Sequence, residues 1–441
     1  MTEQMKPSGI PWIGDIPSTW EIGRVKDYYD LQTGFTPDTS VSEYYDDENG
    51  ELWVSIADMD SRNISSTKSK VSKTYIRQYR PVISPTGSLL YSFKLSVGKV
   101  SFISEDMYTN EAIATFYPQN VCLQYFYYSS AFIEENAKKN IYGAKILNQD
   151  SIKNAYVPFP ASREQKMIAD YLDGRCAEID SIIADIEKQI ELLKQYKKSL
   201  ITETVTKGLD KSVPMKDSGI KWIGQLPVNW KLSRVKYLVD NNHPYPIGDG
   251  DHGMIKADDY LDDGIPYIRV LNLTWGNGLK LDDIVFISNE LNDQIKSSEL
   301  KPKDILIAKT GATIGKTAIV PNSLPISNTT SHVGKITLPD TQDSKYFYYV
   351  FTSQIIQKQI QDISAMQSTR PELGIDGLKN LTVMVPSLGE QKSIAAFLDK
   401  QCEKIDSIIS DKQQQLDTIQ KHKKSLIYEY VTGKKRVKEA M

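Results

Sequence analysis

The sequence has few of the residues from which disulfides and metal sites are built. Its 441 residues include three cysteines, Cys122, Cys176 and Cys402, and four histidines. Three cysteines with no close pair give neither a disulfide framework nor a zinc-ligand spacing. We therefore expect reduced thiols and no metal site.

Long hydrophobic runs are also missing. No stretch approaches the roughly 20 apolar residues that span a bilayer, and the start, MTEQMKPSG, lacks the apolar segment of a secretory signal. The hydrophobic fraction of 40% and the charged fraction of 25% are ordinary for globular proteins. The length corresponds to about three domains of roughly 150 residues each. The sequence predicts a cytoplasmic protein of several domains with no membrane partner.

Motifs for nucleotide or methyl-donor chemistry are absent as well. The string GATIGKT, from Gly311 to Thr317, has one residue too few between glycine and Gly-Lys for a phosphate-binding loop. We interpret it as a turn between two strands, ILIAKT and TAIVP. An adenine methyltransferase needs a glycine fingerprint and an Asn/Asp-Pro-Pro-Tyr/Phe motif. The nearest string, NNHPYP from Asn241 to Pro246, lacks the paired prolines.

One acidic segment has some of the side chains of a metal-binding loop. Asp249, Asp251 and His252 lack the helical glutamate that completes a calcium loop, so a solvated turn is predicted here. The other histidines show neither ligand spacing nor a nucleophile pattern. We predict no catalytic, cofactor-binding or metal-binding residue in this chain.

What the sequence does contain is a long internal repeat. The segment KPSGIPWIGDIPSTWEIGRVKDY matches KDSGIKWIGQLPVNWKLSRVKYL, 210 residues later. The segment VPFPASREQKMIADYLDGRCAEIDSII matches VMVPSLGEQKSIAAFLDKQCEKIDSII, 226 residues later. Since the ends match and the middles do not, the chain holds two copies of a unit whose central part, about 25–157 and 235–383, has diverged.

The second part of each copy has the heptad pattern of a coiled coil. Apolar residues recur at alternating spacings of three and four, beginning at Cys176 in one copy and at Cys402 in the other. Three lysines interrupt this stripe and are expected to set register or orientation: Lys197, Lys412 and Lys423.

Local signals place the ends of these helices. Capping-box spacing occurs at both predicted starts, in the pairs Ser162 with Gln165 and Ser387 with Glu390. Gly208 and Gly433 mark the predicted ends. Each helix is therefore expected to run for about 45 residues, or roughly 65 Å.

The diverged segments have the mixed character of α/β or α+β domains. Runs such as ELWVSI, PYIRVLNL and ILIA indicate strands, whereas LQYFYYSSAFIEENAKK and KYFYYVFTSQIIQKQI indicate helices. The predicted architecture has two such domains joined by two long antiparallel helices that form a coiled coil, with pseudo-two-fold symmetry. Its predicted boundaries are 1–160 for the first domain with repeat segment 6–28, 161–210 for the central helix, 211–386 for the second domain with repeat segment 216–238, 387–433 for the C-terminal helix and 434–441 for a basic tail.

Charge is segregated within the first diverged segment, although the formal net charge is only −3. Ten acidic residues and no lysine or arginine lie between Asp27 and Asp60, whereas eight basic residues and no acidic one lie between Ser61 and Ser104. Unrelated solvated faces could segregate in this way. The alternative is a basic surface that binds nucleic acid.

Taken with these features, the doubled Trp-Ile-Gly segment and the doubled EQK…LD…C-x-x-IDSII helix resemble those of type I restriction-modification specificity subunits. The resemblance covers nearly all of the chain. It implies two target-recognition domains that each read one half of a split double-stranded DNA site, and helices that hold two adenine methyltransferase (modification) subunits. Those subunits would use S-adenosylmethionine, and restriction subunits that join them would use ATP with Mg²⁺.

Basic and polar side chains of the diverged segments are the candidate DNA contacts, since phosphates attract lysine and arginine and base edges pair with polar side chains. In the first segment the candidates are Arg62, Lys68, Lys70, Lys73, Arg77, Arg80, Lys94, Lys99 and Lys145. In the second they are Lys309, Thr310, Lys316, Thr317, Gln367 and Arg370.

A second interpretation remains open at this point. The net negative charge and the long coiled coil also suit a helical scaffold whose diverged domains bind protein partners. Salt dependence of DNA affinity separates the two hypotheses, because phosphate contacts weaken as salt rises.

Overall fold

The computed structural model describes residues 4–94, 96–118, 122–135, 137–139, 145–276, 278–365 and 371–437. The chain divides into two compact units, one formed by Met1–Asp185 with Gln415–Met441 and the other by Ile186–Gln414. Each unit therefore combines one diverged segment with the start of one long helix and the end of the other. We call them the first unit and the second unit.

The first unit is a mixture of short strands and short helices that leads into a long helix. Its strands are β1 (Met5–Pro7), β2 (Asp15–Pro17), β3 (Glu21–Arg24), β4 (Leu31–Thr33), β5 (Glu51–Val54), β6 (Asn63–Ile64), β7 (Ser69–Val71), β8 (Leu89–Ser92), β9 (Val100–Ile103), β10 (Tyr108–Thr109), β11 (Ile113–Phe116), β12 (Lys138–Lys139), β13 (Lys145–Ile146) and β14 (Tyr156–Phe159). Its helices are α1 (Val25–Tyr28), α2 (Lys73–Tyr79), α3 (Leu123–Ser129), α4 (Ala131–Glu134), α5 (Gln149–Lys153) and the start of α6 (Ser162–Lys207).

The second unit repeats this plan. Its strands are β15 (Met215–Asp217), β16 (Gln225–Pro227), β17 (Lys231–Arg234), β18 (Ile247–Asp249), β19 (Ile265–Ile268), β20 (Val285–Ile287), β21 (Ile305–Ala308), β22 (Thr317–Ile319), β23 (Asn328–Thr329), β24 (Val333–Ile336) and β25 (Thr382–Val385). Its helices are α7 (Asn289–Gln294), α8 (Ser344–Thr352), α9 (Gln354–Ala365), α10 (Ile375–Asn380) and the start of α11 (Leu388–Val431).

The two units share one strand topology although their central sequences differ. The order β4-β11-β8-β9 in the first corresponds to β18-β24-β21-β22 in the second, and every neighbouring pair in both runs antiparallel. In both three-stranded sheets, β10-β5-β7 and β23-β19-β20, the central strand is parallel to one neighbour and antiparallel to the other. Within the described residues the first unit has three further strands, β6 at the edge of its five-stranded sheet and the pair β12-β13. The mixed α/β fold class predicted from the sequence is confirmed.

A pair of equivalent glycines shows how close this correspondence is. A Cβ on Gly34 would lie 1.9 Å from the carbonyl oxygen of Thr109, and one on Gly250 would lie 1.6 Å from that of Thr329. No side chain fits in either space, so only glycine allows these backbones to approach. The same backbone crossing is thus present in both units.

The core of each unit is completed by both long helices. In the first unit Leu172 of α6 and Leu426 of α11 pack in one cluster with buried Trp20. In the second unit Val205 of α6 and Leu398 of α11 belong to one cluster. Burial of the heptad positions is the main stabilisation that such helices receive.

The lysines on the heptad stripe pair across the two helices, which run antiparallel within each unit. In the second unit the Lys197 ammonium lies 2.6 Å from the carboxylate of Asp406, and Lys412 donates to the amide oxygen of Gln189 at 2.5 Å. In the first unit Lys423 lies 2.5 Å from Asp180. These polar pairs lie within an apolar seam and fix the register of the two helices, as predicted.

The ends of the long helices agree with prediction except for one cap. Gly208 and Gly433 follow α6 and α11 in the left-handed conformation, with φ of 73° and 71°. Ser387 caps α11, since its hydroxyl accepts from the amide of Glu390 at 3.3 Å. The capping box predicted between Ser162 and Gln165 is wrong, because the Gln165 side chain donates to the carbonyl of Pro160 instead, at 2.9 Å.

Two glycine substitutions should change stability in opposite directions. Gly174 lies inside α6 with nothing within 4 Å of a Cβ, so Gly174→Ala should raise the free energy of unfolding by up to about 1 kcal/mol. Gly433→Ala should lower it by more than about 1 kcal/mol, because φ is positive and the new Cβ would lie 2.4 Å from Pro17. Urea unfolding of the full chain followed by circular dichroism measures both. A neutral Gly433→Ala would contradict this view of the helix end.

Candidate nucleic-acid interface

Helix α2 of the first unit carries basic side chains on its exposed surface. Its N-cap is Ser72, whose hydroxyl accepts from the amide of Tyr75, and the Tyr75 ring is buried. Lys73 and Arg77 are exposed at the i, i+4 spacing of one helical face, and exposed Arg80 is the C-cap in the left-handed conformation, with φ of 46°. Within the described residues neither arginine forms an ion pair. The helix therefore presents two unengaged guanidinium groups to solvent.

Lys68 and Lys70 precede this helix on the chain. The Lys68 ammonium donates to the carbonyl of Ala57 at 3.2 Å, and that of Lys70 donates to the carbonyl of Glu48 at 3.0 Å. Both hydrogen bonds connect the acidic loops before β7 to the basic segment that contains it. The acidic and basic segments, which are separate in the sequence, are therefore hydrogen-bonded to each other in the fold.

A glycine-lysine turn follows an equivalent strand in each unit. The amide of Gly98 donates to the carbonyl of Ser92, and that of Gly315 donates to the carbonyl of Ala308. Both glycines have positive φ, 93° and 90°. The string GATIGKT is therefore a turn between β21 and β22, as predicted, and no helix follows it as a phosphate-binding loop requires.

The two lysines of the first turn differ in whether their ammonium groups form an ion pair. Lys94 is exposed, with its ammonium 5.8 Å from the centroid of the Phe93 ring. Lys99 lies 2.6 Å from Asp60, and this hydrogen bond holds the pKa of the Asp60 carboxyl below its usual range. Lys94 is thus the more available of the two for a phosphate.

In the second turn, polar groups are layered from surface to interior. Lys316 is half-exposed, and the Thr310 hydroxyl is 3.1 Å from Nδ1 of the exposed His332. Thr317 is buried and donates to the carbonyl of Gly315 at 3.0 Å. Lys316 and Thr310 of this turn, and His332 on the segment before β24, are therefore the side chains that can reach a ligand here.

Lys309 lies inside the second unit. Its side chain is 2% exposed, and its ammonium is 2.5 Å from Asp249 and 3.7 Å from Glu372. In the first unit the equivalent position after the strand is held by buried Phe93. An ion pair thus replaces an aromatic ring, and the Lys309 ammonium is engaged within the fold.

The prediction of a solvated turn at Asp249 to His252 is wrong for its two carboxylates. Asp249 is bound by Lys309, and Asp251 is buried and accepts from the amides of Gly253, Met254 and Ile255. His252 alone is well exposed, with Nε2 3.3 Å from Asp249. Backbone amides that converge on a carboxylate satisfy its charge without a metal.

Arg62 is the member of the basic segment that contacts a long helix. Its guanidinium lies 2.7 Å from Asp173 of α6 and 4.7 Å from the centroid of the Tyr127 ring. This geometry is that of a charge-assisted hydrogen bond with a cation stacked on an aromatic face. Arg62 thus joins the diverged domain to the helix.

Three predicted contacts have undescribed side chains. Gln367 and Arg370 lie outside the described residues, and Lys145 belongs to strand β13 but its side chain is also outside them. Their roles stay predictions.

The element of the second unit that matches α2 has the opposite charge. Strand β20 and helix α7 stand where β7 and α2 stand in the first unit, and Ser288 caps α7 as Ser72 caps α2. Counted from these caps, Arg77 corresponds to Asp293. Lys296, the counterpart of Arg80, is 3.9 Å from Asp293. One fold position is therefore positively charged in one unit and negatively charged in the other, where Lys296 offsets part of the charge.

Sequence reasoning missed a cluster that both units share at the long helices. The Tyr128 hydroxyl donates to Asp173 at 2.5 Å, and the Tyr349 hydroxyl donates to Asp399 at 2.8 Å. Burial raises the pKa of the thiols of Cys176 and Cys402 beside them. The matched cysteines and aspartates of the repeat were the available signal.

Two kinds of site are absent from the described part of the chain. No group of three or more His, Cys, Asp or Glu side chains there could hold a metal ion. Within the same residues, no helix combines the length and the apolar character that crossing a membrane requires.

Comparison with known proteins identifies the family. Residues 17–192 and 248–418 match the type I restriction modification DNA specificity domain. This protein belongs to that family. Both diverged segments are target-recognition domains, and specificity subunits are the non-catalytic DNA-recognition components of type I restriction-modification systems.

Individual relatives agree with this assignment. The type I restriction enzyme MjaVIII specificity subunit of Methanocaldococcus jannaschii is 25% identical over 435 residues, covering 96% of this chain and 94% of the relative. The MjaIX specificity subunit of the same organism is 22% identical over 444 residues, covering 97% and 96%. A solved chain from work on complex assembly and conformational transition of the type I R-M system aligns with a TM-score of 0.70 at 12% identity, over 94% of this chain and 98% of that one. At that identity the likeness concerns the fold.

The buried ion pair of this specificity subunit can be tested by a double-mutant cycle. Lys309→Met should lower the free energy of unfolding by about 3 kcal/mol, because Asp249 then lacks its cation. Adding Asp249→Asn should recover most of that loss, since both charged partners are gone. Lys316→Met, at a half-exposed position, is the control and should change it by less than about 0.5 kcal/mol. Urea unfolding measures all three, and equal losses in the single and double variants would exclude the pair as the cause.

Proposed function

We propose that this specificity subunit reads a bipartite, asymmetric DNA sequence. The target-recognition domain within residues 1–160 reads one half-site, and the domain within 211–386 reads the other. The observation that carries this proposal is the charge difference between α2 and α7, which occupy one fold position. Two domains that share a topology but present different surfaces should select different bases.

The proposed contacts follow from exposure. In the first domain the phosphate contacts are Lys73, Arg77, Arg80 and Lys94, whose side chains are exposed. In the second, Lys316 contacts phosphate, and Thr310 is offered to a base edge beside exposed His332. Lys145, Gln367 and Arg370 remain proposed contacts without a described side chain. The side chains already bonded within the fold are assigned to supporting these surfaces: Arg62, Lys68, Lys70, Lys99, Lys309 and Thr317.

The partners we propose are two adenine methyltransferase subunits held by the repeated helices α6 and α11. They bring S-adenosylmethionine, and restriction subunits that join them bring ATP with Mg²⁺. The complex acts in the cytoplasm, where its DNA target lies. The rival hypothesis of a scaffold that binds only proteins is disfavoured by family membership.

If each domain reads one half-site, exchanging one domain should change only one half of the methylated motif. The chain is co-expressed with its modification subunit in a host that lacks adenine methylation, and methylated adenines are mapped across the genome. A single split motif is expected. Replacing residues 25–157 with those of another family member should change one half of the motif, and replacing 235–383 should change the other. A change in both halves from either exchange would overturn the proposal.

The basic face of α2 predicts a change in salt dependence. Arg77→Ala with Arg80→Ala should weaken binding to cognate and non-cognate duplexes alike and reduce the slope of log K against log salt by about 2, because each phosphate contact contributes about 0.9. Lys194→Ala, at an exposed position of α6, is the control and should leave the slope unchanged. Fluorescence anisotropy of the complex with its modification subunits measures both. An unchanged slope in the arginine variant would remove α2 from the interface.

A further inference from the structure

The second unit contains a cavity of about 640 Å³ beside its long helices. It is lined by Gly276 on the loop after β19, by Tyr348 and Tyr349 of α8, by Asp399 and Asp406 of α11, and by Lys197 of α6. Aromatic rings beside carboxylates are the surroundings that bind guanidinium groups in proteins. The cavity is of the size that ligand sites commonly have, roughly 300 to 1,000 Å³.

The first unit fills the equivalent place with its own arginine. Arg62 donates to the carboxylate of Asp173 at 2.7 Å and lies 4.7 Å from the ring centroid of Tyr127. Its second terminal nitrogen donates to the Tyr128 hydroxyl at 3.4 Å. A guanidinium is thus held between an aromatic face and a helix carboxylate.

The two places correspond residue by residue. Asp173, Cys176 and Asp180 recur as Asp399, Cys402 and Asp406, and the adjacent tyrosines of α3 recur in α8. Both second tyrosines donate to the first aspartate, and both second aspartates bind a lysine of the opposite helix. Within the described residues no guanidinium occupies the second place, since Gly276 stands at the same distance after β19 as Arg62 after β5 and the cation on Asp399 is the ammonium of Lys345.

The carboxylates around the cavity outnumber the cations paired with them. In the first unit Arg62 and the lysine on Asp180 balance two carboxylates. In the second unit Lys345 binds Asp399 at 2.5 Å and Lys197 binds Asp406, while Glu403 also lines the cavity. Within the described residues no cation pairs with Glu403 or stacks on the Tyr348 ring. One carboxylate and one aromatic face are therefore unengaged.

We propose that this cavity binds an arginine side chain of a modification subunit. The identity of the partner rests on the proposed function, whereas the preference for a guanidinium rests on the occupant of the matching site in the first unit. The first unit supplies that group itself through Arg62. The two modification subunits are then held by unequal contacts, with the arginine used only at the second unit.

The guanidinium site is tested on the full chain with N-acetylarginine N-methylamide as the probe, titrated by NMR. The native chain should show one saturable site. Asp399→Asn and Tyr348→Leu should each weaken it at least tenfold, and Arg62→Ala should create a second site. Asp411→Asn, an exposed carboxylate of the same helix, is the matched control and should leave the affinity unchanged. The corresponding lysine derivative should bind more weakly. Absence of a saturable site in the native chain would overturn the proposal, whether or not Arg62→Ala binds the probe.

The partner is tested separately by calorimetric titration of the chain with its modification subunit. Native chain should bind two subunits, and Asp399→Asn should lose at least tenfold in affinity for one of them. Unchanged binding of both subunits by Asp399→Asn would remove the modification subunit as the occupant, even if the arginine probe binds. Failure of the native chain to bind any modification subunit would instead overturn the proposed function and leave the probe result standing.

Discussion

The antiparallel pairing of the two long helices is the interaction on which the rest of the structure depends. Within the second unit Lys197 meets Asp406, and within the first Lys423 meets Asp180. A lysine on an apolar seam is costly unless a carboxylate faces it, so a shift of register would separate each lysine from its partner. The pairing therefore selects one alignment of two helices whose apolar heptads alone would accept several.

This pairing also determines how each recognition domain is completed. The first unit takes the end of α11 into its core, and the second takes the end of α6. The indole of Trp20 donates to Glu164 at 3.0 Å, and that of Trp230 donates to Glu390 at 2.9 Å. Each domain thus fastens its N-terminal repeat segment to the start of the helix that follows it. The duplicated ends of the sequence are the parts that build this frame, which explains why they match while the middles diverge.

The long helices and the repeat segments bonded to them could be predicted from sequence, because their sequence signals are local and periodic. Heptads, helix-end glycines and matched cysteines report on neighbouring residues, and the long helices begin and end near the predicted places. The side chains of the candidate interface could not be predicted as well, because their state depends on residues distant in sequence. Lys309 has the local setting of an exposed turn, yet Asp249 and Glu372 converge on it from other segments. Arg62 belongs to a basic stretch, yet its partner is on α6.

The comparison of the two units shows how one topology supports different recognition. At three equivalent positions the first unit has Phe93, Arg77 and Arg62 where the second has Lys309, Asp293 and Gly276. The first exchange moves a charge into the core, the second reverses a surface charge, and the third empties a site beside the long helices. None of them alters the strand order, because that order rests on buried strands and on backbone crossings such as those at Gly34 and Gly250. Surface chemistry can therefore diverge at positions that the fold does not constrain, and the domains of a duplicated chain can come to differ both in the DNA they read and in the contacts they offer at their helices.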